Sequence, residues 1–103
     1  MIINLTPHEI NFTVGGDSLS LPSSGIARIP MKKEKIGEID GIPVNRTIPG
    51  EIEGLPKEQE GVAYIVSRVV VEAMPDRKDL FFPDELIRDE KGRVIGCSAL
   101  GRP

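Results

Sequence analysis

Four side chains in one stretch of the sequence are of the types that hold an anion: Ser67, Arg68, Arg77 and Asp79. A serine at the start of a helix offers its hydroxyl and the amides that follow it to a phosphate. Arg68 stands beside that spot. An arginine such as Arg77 can grip phosphate with two parallel N–H donors, and Asp79 can accept from ribose hydroxyls. Each has a plainer reading. Ser67 suits a helix cap, and Asp76-Arg77-Lys78-Asp79 suits a solvated run of charge. His8 is the only histidine. It can act as an acid or base, or stack on a nucleobase, or simply point to water from a turn fixed by Thr6, Pro7 and Glu9. Tyr64, Phe81 and Phe82 supply three of the four aromatic residues, for stacking or for the core.

The usual signatures of catalysis are missing from the sequence. Ser67 lies outside any G-x-S-x-G elbow, and neither G-x-x-x-x-G-K nor G-x-G-x-x-G occurs. With one histidine, one cysteine and no H-x-x-x-H or C-x-x-C spacing, no metal site is expected. No catalytic residue and no cofactor are assigned.

The element that must position these groups is Gly61–Phe82, the longest apolar run. Val62–Val66 reads as a buried strand. Apolar residues at 66, 69, 70, 73 and 74 then follow helical spacing, with Ser67 as cap and Pro75 as stop. A short helix over about 67–75 is predicted. Upstream, Ile2–Leu5 reads as a strand. Thr6-Pro7-His8-Glu9 matches a capping box, yet Ile10, Phe12 and Val14 alternate as in a strand, so Thr6–Glu9 is predicted to be one capped turn between two strands. Gly15-Gly16-Asp17 predicts a hairpin to Ser18–Leu21. Ile26–Ile29 reads as a strand, Met31–Lys35 as a solvated loop or strand edge, and Ile36–Ile39 with Ile42–Val44 as a second hairpin. Arg46–Pro49 reads as a connection to a short strand at Glu51–Glu53, and 54–60 as a loop. Pro83-Asp84 signals a turn. Leu86–Arg88 and Arg93–Cys97 flank Asp89-Glu90-Lys91-Gly92 as a C-terminal hairpin, leaving Ala99–Pro103 as a tail. The fold class is therefore α+β: a small, mostly antiparallel β-sheet domain with one short helix.

A chain of 103 residues predicts a single domain, 1–103. Its 39% hydrophobic and 28% charged residues are ordinary for a soluble globular protein. With 13 basic and 16 acidic residues the net charge is −3, which offers no basic field for polymeric nucleic acid. No run reaches the ~18 apolar residues of a membrane helix, so no membrane partner is expected. The beginning of the sequence shows no secretory signal pattern, and Cys97 has no second cysteine to pair with, which suits a reducing cytoplasm.

Several blocks read together carry a resemblance: Asn4-Leu5-Thr6-Pro7-His8, Tyr64-Ile65-Val66-Ser67, Asp76-Arg77-Lys78-Asp79-Leu80, Arg88-Asp89 and Gly92-Arg93-Val94-Ile95-Gly96-Cys97. They resemble a family of small phage and prophage proteins without an assigned function, over most of the chain. By analogy with phage anti-defence proteins, the resemblance implies binding of a host nucleotide immune signal rather than its turnover. Cyclic or conjugated ADP-ribose is the first candidate and a cyclic dinucleotide the second. Thr6, Pro7, His8, Ser67 and Arg77 to Asp79 would then line the pocket. A chain this short has little interior to spare, so the pocket is expected between subunits of a homo-oligomer, a dimer at least. Two alternatives stand beside this: a phosphodiesterase-like enzyme using His8, and a protein-interaction or virion accessory module using a strand edge.

Overall fold

Alternating apolar residues and frequent Gly and Pro turns divide the chain into eight strands and one helix. The structure, a computed structural model, describes residues 1–103. In chain order these are β1 (Ile2–Asn4), β2 (Ile10–Val14), β3 (Asp17–Leu21), β4 (Met31–Ile39), β5 (Ile42–Pro49), β6 (Ala63–Ile65), α1 (Arg68–Ala73), β7 (Leu80–Arg88) and β8 (Val94–Gly101). Six strands form one sheet in the order β1-β6-β7-β8-β2-β3, and β4-β5 form a separate ribbon. Most paired residues are antiparallel, in the hairpins β2-β3, β4-β5 and β7-β8. Short parallel contacts join β1 to β6, β6 to β7 and β2 to β8. The α+β class with its C-terminal hairpin is therefore observed.

The predicted buried strand before Ser67 is β6, an interior strand of the sheet between β1 and β7. Tyr64, Ile65 and Val66 are almost wholly buried, and successive residues point to opposite faces. Tyr64 and Val66 join Leu5, Ala27, Val70, Val71, Leu80 and Phe82 in the larger core cluster, under α1. Ile65 joins Ile10, Phe12 and Cys97 in a smaller one on the other side. The sheet curls enough for its two edge strands to approach. The Asn4 side chain of β1 donates to the Leu21 carbonyl of β3 at 2.9 Å.

The ribbon β4-β5 projects from this body as an arm. Every residue of β4 is exposed, and Val44 alone in β5 is half-buried. Its root is closed by backbone bonds Gly50 N to Pro30 O (2.8 Å) and, in both directions, between Arg28 and Glu53 (2.9 Å). Gly54 seals the root: its φ is +78°, and a Cβ there would meet Ile26 O at 2.2 Å. The arm stretches the molecule to 56 × 39 × 22 Å with a radius of gyration of 16.9 Å, against about 13 Å for a compact chain of this length.

Several local expectations are corrected. Met31–Lys35 and Arg46–Pro49 belong to the long ribbon, because each residue finds a cross-strand partner. Ile26–Ile29 and Glu51–Glu53 contribute only the single bridge Arg28–Glu53. Pro83-Asp84 is no turn but lies inside β7, and Ala99–Gly101 extends β8 rather than forming a tail. On α1, Val70 and Val71 are buried whereas Val69 is half exposed. Val66 still belongs to the extended segment, so the helical phase starts two residues later than the apolar spacing suggests.

Candidate functional site

Thr6, Pro7 and His8 leave the sheet where β1 ends, and Ser67 and Arg68 leave it where β6 ends. These strands are parallel neighbours, with Asn4 opposite Ile65 and Leu5 N donating to Ile65 O at 2.8 Å. Both segments therefore emerge from the same edge of the sheet. Phe82, on the next strand, adds an aromatic ring to that edge: Val66 N donates to Phe81 O at 2.8 Å, one residue before it.

The Thr6–His8 turn is not a capped helical turn. Its organiser is Asn4, which opens the Asn4–His8 block but carries no site role in the sequence analysis. The buried Asn4 Oδ1 accepts from Thr6 N (2.9 Å) and from the Thr6 hydroxyl (2.6 Å), and its Nδ2 donates to His8 O (2.8 Å) and Leu21 O. One side chain thus satisfies four groups, and the Thr6 hydroxyl turns inward instead of capping. Its only sequence signal was an Asn closing an apolar strand before Thr-Pro. His8 and Pro7 are exposed. His8 borders a shallow groove of about 540 Å³ with Pro83, Leu86 and Ile95.

Ser67 occupies the cap position of α1 with extended dihedrals (φ −67°, ψ 156°), and its side chain makes no cap hydrogen bond. Its carbonyl accepts from Val70 N and Val71 N. The chain does turn helical directly after Ser67, as the sequence indicates. Arg68 lies with its guanidinium 5.0 Å from the Phe82 ring centroid, and its Nε donates to Glu72 at 3.0 Å. Its two Nη groups make no hydrogen bond within the chain. A stacked, planar cation with free donors suits a phosphate or carboxylate.

Arg77 and Asp79 lie elsewhere. Asp79 ends the loop before β7, and its carbonyl accepts from Tyr64 N at 2.8 Å, at the level where β6 begins. The pair is thus at the opposite end of the strands from Thr6–His8 and Ser67. The Arg77 fork is already filled. Nε and Nη2 donate to the two Asp79 carboxylate oxygens at 2.8 Å each, and Nη2 also reaches Pro56 O at 3.0 Å. Both side chains are largely buried. The Arg77 hydrogen bonds hold the Asp79 carboxyl below its usual range, against the opposing effect of burial. The guanidinium is raised in turn, chiefly by the same bonds. Arg102 donates to the Lys78 and Arg77 carbonyls and packs its guanidinium 5.5 Å from the Phe81 ring. In this arrangement Arg77 and Asp79 bolt the 54–60 loop to the sheet.

Cys97 is buried, and desolvation pushes its thiol up. Asp89 accepts from Arg93 N, Lys91 N and Arg93 Nε, closing the β7-β8 turn, and those backbone bonds hold its carboxyl low. No group of three His, Cys, Asp or Glu side chains converges as a metal site would require. No helix is long and apolar enough to cross a membrane. Comparison of the chain with protein-family models, curated proteins and solved structures returned no match.

Proposed function

We propose that this protein binds and sequesters a nucleotide signal of the cyclic or conjugated ADP-ribose type without cleaving it, as a phage-type anti-defence protein of the cytoplasm. The observation that carries the reading is the shared edge of β1 and β6. Parallel strands end side by side there, the local arrangement that open α/β sheets use for ligands outside the carboxyl ends of their strands. That edge brings the Thr6-Pro7-His8 turn, Ser67 and the stacked Arg68 to one side of the molecule. Arg68, held over the buried Phe82 ring, supplies charge for a phosphate, Ser67 a hydroxyl with no internal partner, and the exposed His8 a flat surface for a base. The Arg77–Asp79 pair supports this edge from a distance rather than lining it. The edge is open in a single chain, so tight retention calls for a second copy to close over the ligand.

The test is incubation with a panel of cyclic and linear ADP-ribose nucleotides and cyclic dinucleotides, followed by filtration, heat release and chromatography. Stoichiometric recovery of an intact ADP-ribose-type nucleotide is the expected result, reduced about tenfold or more by Arg68→Ala. Retention of nothing in the panel overturns the reading. Recovery of a cleaved product that depends on His8 replaces it with the phosphodiesterase alternative. A protein-interaction role is favoured by one separate observation, the exposed β4-β5 arm.

A further inference from the structure

The arm carries an apolar row that the chain leaves uncovered. Along β5, Ile42, Val44, Arg46 and Ile48 share one face, and their cross-strand partners are Ile39, Gly37, Glu34 and Lys32. The Arg46–Glu34 ion pair at 2.8 Å follows from that register. A bulge at Ile36 shifts the register between Lys35 and Gly37 and so sets Lys35 and Glu38 on the same opposite face, where they pair at 2.6 Å. Towards the tip, Ile39 and Ile42 are each 66% exposed. An isolated two-stranded ribbon is marginal in water, and nothing in the body covers this one.

Charge on the arm is arranged end to end. The root half holds Lys32, Lys33, Lys35 and Arg46 against Glu34, and the tip holds Glu38 and Asp40. Of these, Lys32, Lys33 and Asp40 have no ion-pair partner within the chain. Such a dipole complements itself only when two arms lie antiparallel. A parallel overlay sets like charge on like.

We propose that the arm is a self-association surface, two copies packing the Ile42 faces of their arms together, antiparallel, about a two-fold axis. In that packing Ile39 and Ile42 of one copy meet Ile48 and the aliphatic stem of Lys32 of the other, and the Lys32 ammonium reaches Asp40. The contact is isologous, so each pairing occurs twice. A ribbon face about 30 Å long and about 10 Å wide gives roughly 600 Å² over both copies. That is below the about 1,200 Å² of a standard stable interface, so the association is weak and concentration-dependent. The inference does not rest on the nucleotide reading.

Sedimentation velocity over a concentration series from micromolar to near-millimolar tests it. The wild-type mass average is expected to rise from monomer towards dimer. Ile39→Asp with Ile42→Asp is expected to hold the chain monomeric with an unchanged thermal melt, since both side chains are exposed. Lys32→Glu and Asp40→Lys are each expected to weaken association about tenfold, and the double variant to restore it. A wild type that stays monomeric throughout overturns the proposal. So does association that survives the two aspartates, or a double charge swap that fails to rescue. Association abolished instead by Leu19→Asp would place the contact at the apolar groove of about 270 Å³ that Ile2, Val14, Leu19 and Leu100 line on the body.

Discussion

The body and the arm use the same secondary structure for opposite ends. In the body, Tyr64, Ile65, Val66 and Leu80 are almost wholly shielded from water. In the arm, strands of eight and nine residues contain no buried side chain at all. Residue pairing runs the length of the ribbon from Met31–Pro49 to Ile39–Ile42, so backbone pairing alone does not make a core. What the body adds is sequence-distant packing: β1 against β6, α1 against β7, and Ala27, Ile29, Ile52 and Leu55 in or against the larger core cluster. The lesson is that the buried core lies wholly in the body, and that the nine residues of β4 and eight of β5, out of 103, add no buried side chain to it.

Substitutions sharpen that contrast in a graded series. Leu80→Ala removes a side chain with no exposed surface and is expected to cost about 2–5 kcal/mol, seen as a fall of ten degrees or more in the melting temperature. Asn4→Leu keeps the branched shape and the number of side-chain heavy atoms but strands Thr6 N, His8 O and Leu21 O. A loss of about 2–3 kcal/mol in urea unfolding is expected, with a disordered Thr6–His8 turn in NMR. Asp79→Asn breaks the charged fork to Arg77 and is expected to cost about 1.5–3 kcal/mol at neutral pH. Here the sign follows from the depressed carboxyl. Its contribution is present above the unfolded carboxylate value and fades as pH falls through the lower folded one. Wild type and variant should therefore differ fully above about pH 5 and converge in acid. Thr47→Ala in the arm is expected to change stability by less than about 0.5 kcal/mol. A larger effect there would mean that the arm is welded to the body and would erase the distinction.

Local patterning in the sequence carried the centre of the fold well. The β-branched run ending at Val66, the Ser67 corner, the Gly15-Gly16 turn and the Asp89–Gly92 turn all sit where residue type placed them, because each is decided within a few residues. Ribbon length was not legible. Met31-Lys32-Lys33-Glu34-Lys35 has no apolar alternation, since neither of its faces meets a core, and the periodicity argument depends on such a core. The Pro83 position misled for a related reason: it lies past the last β6 partner, at Phe81, where β7 pairs with β8 alone and a proline is tolerated as on an edge strand. Of the candidate site, Thr6–His8 and Ser67–Arg68 share an edge through the parallel register of two strands sixty residues apart, which no local signal encodes. Arg77 and Asp79 satisfy each other, a pairing visible at i, i+2 only once the loop geometry is known.

The parallel pairing of β1 with residues 63–65 also orders events during synthesis. Ribosomes add about 5–20 residues each second, so β1 waits several seconds for its neighbour to be made. During that interval the β2-β3 hairpin and the arm already have both their strands, each marginal alone, while Ile2, Ile3 and Leu5 still lack the β6 neighbour. The nascent chain thus presents both strands of the exposed ribbon before it owns a finished interior, and crowded polysomes are where premature pairing between neighbouring chains would begin.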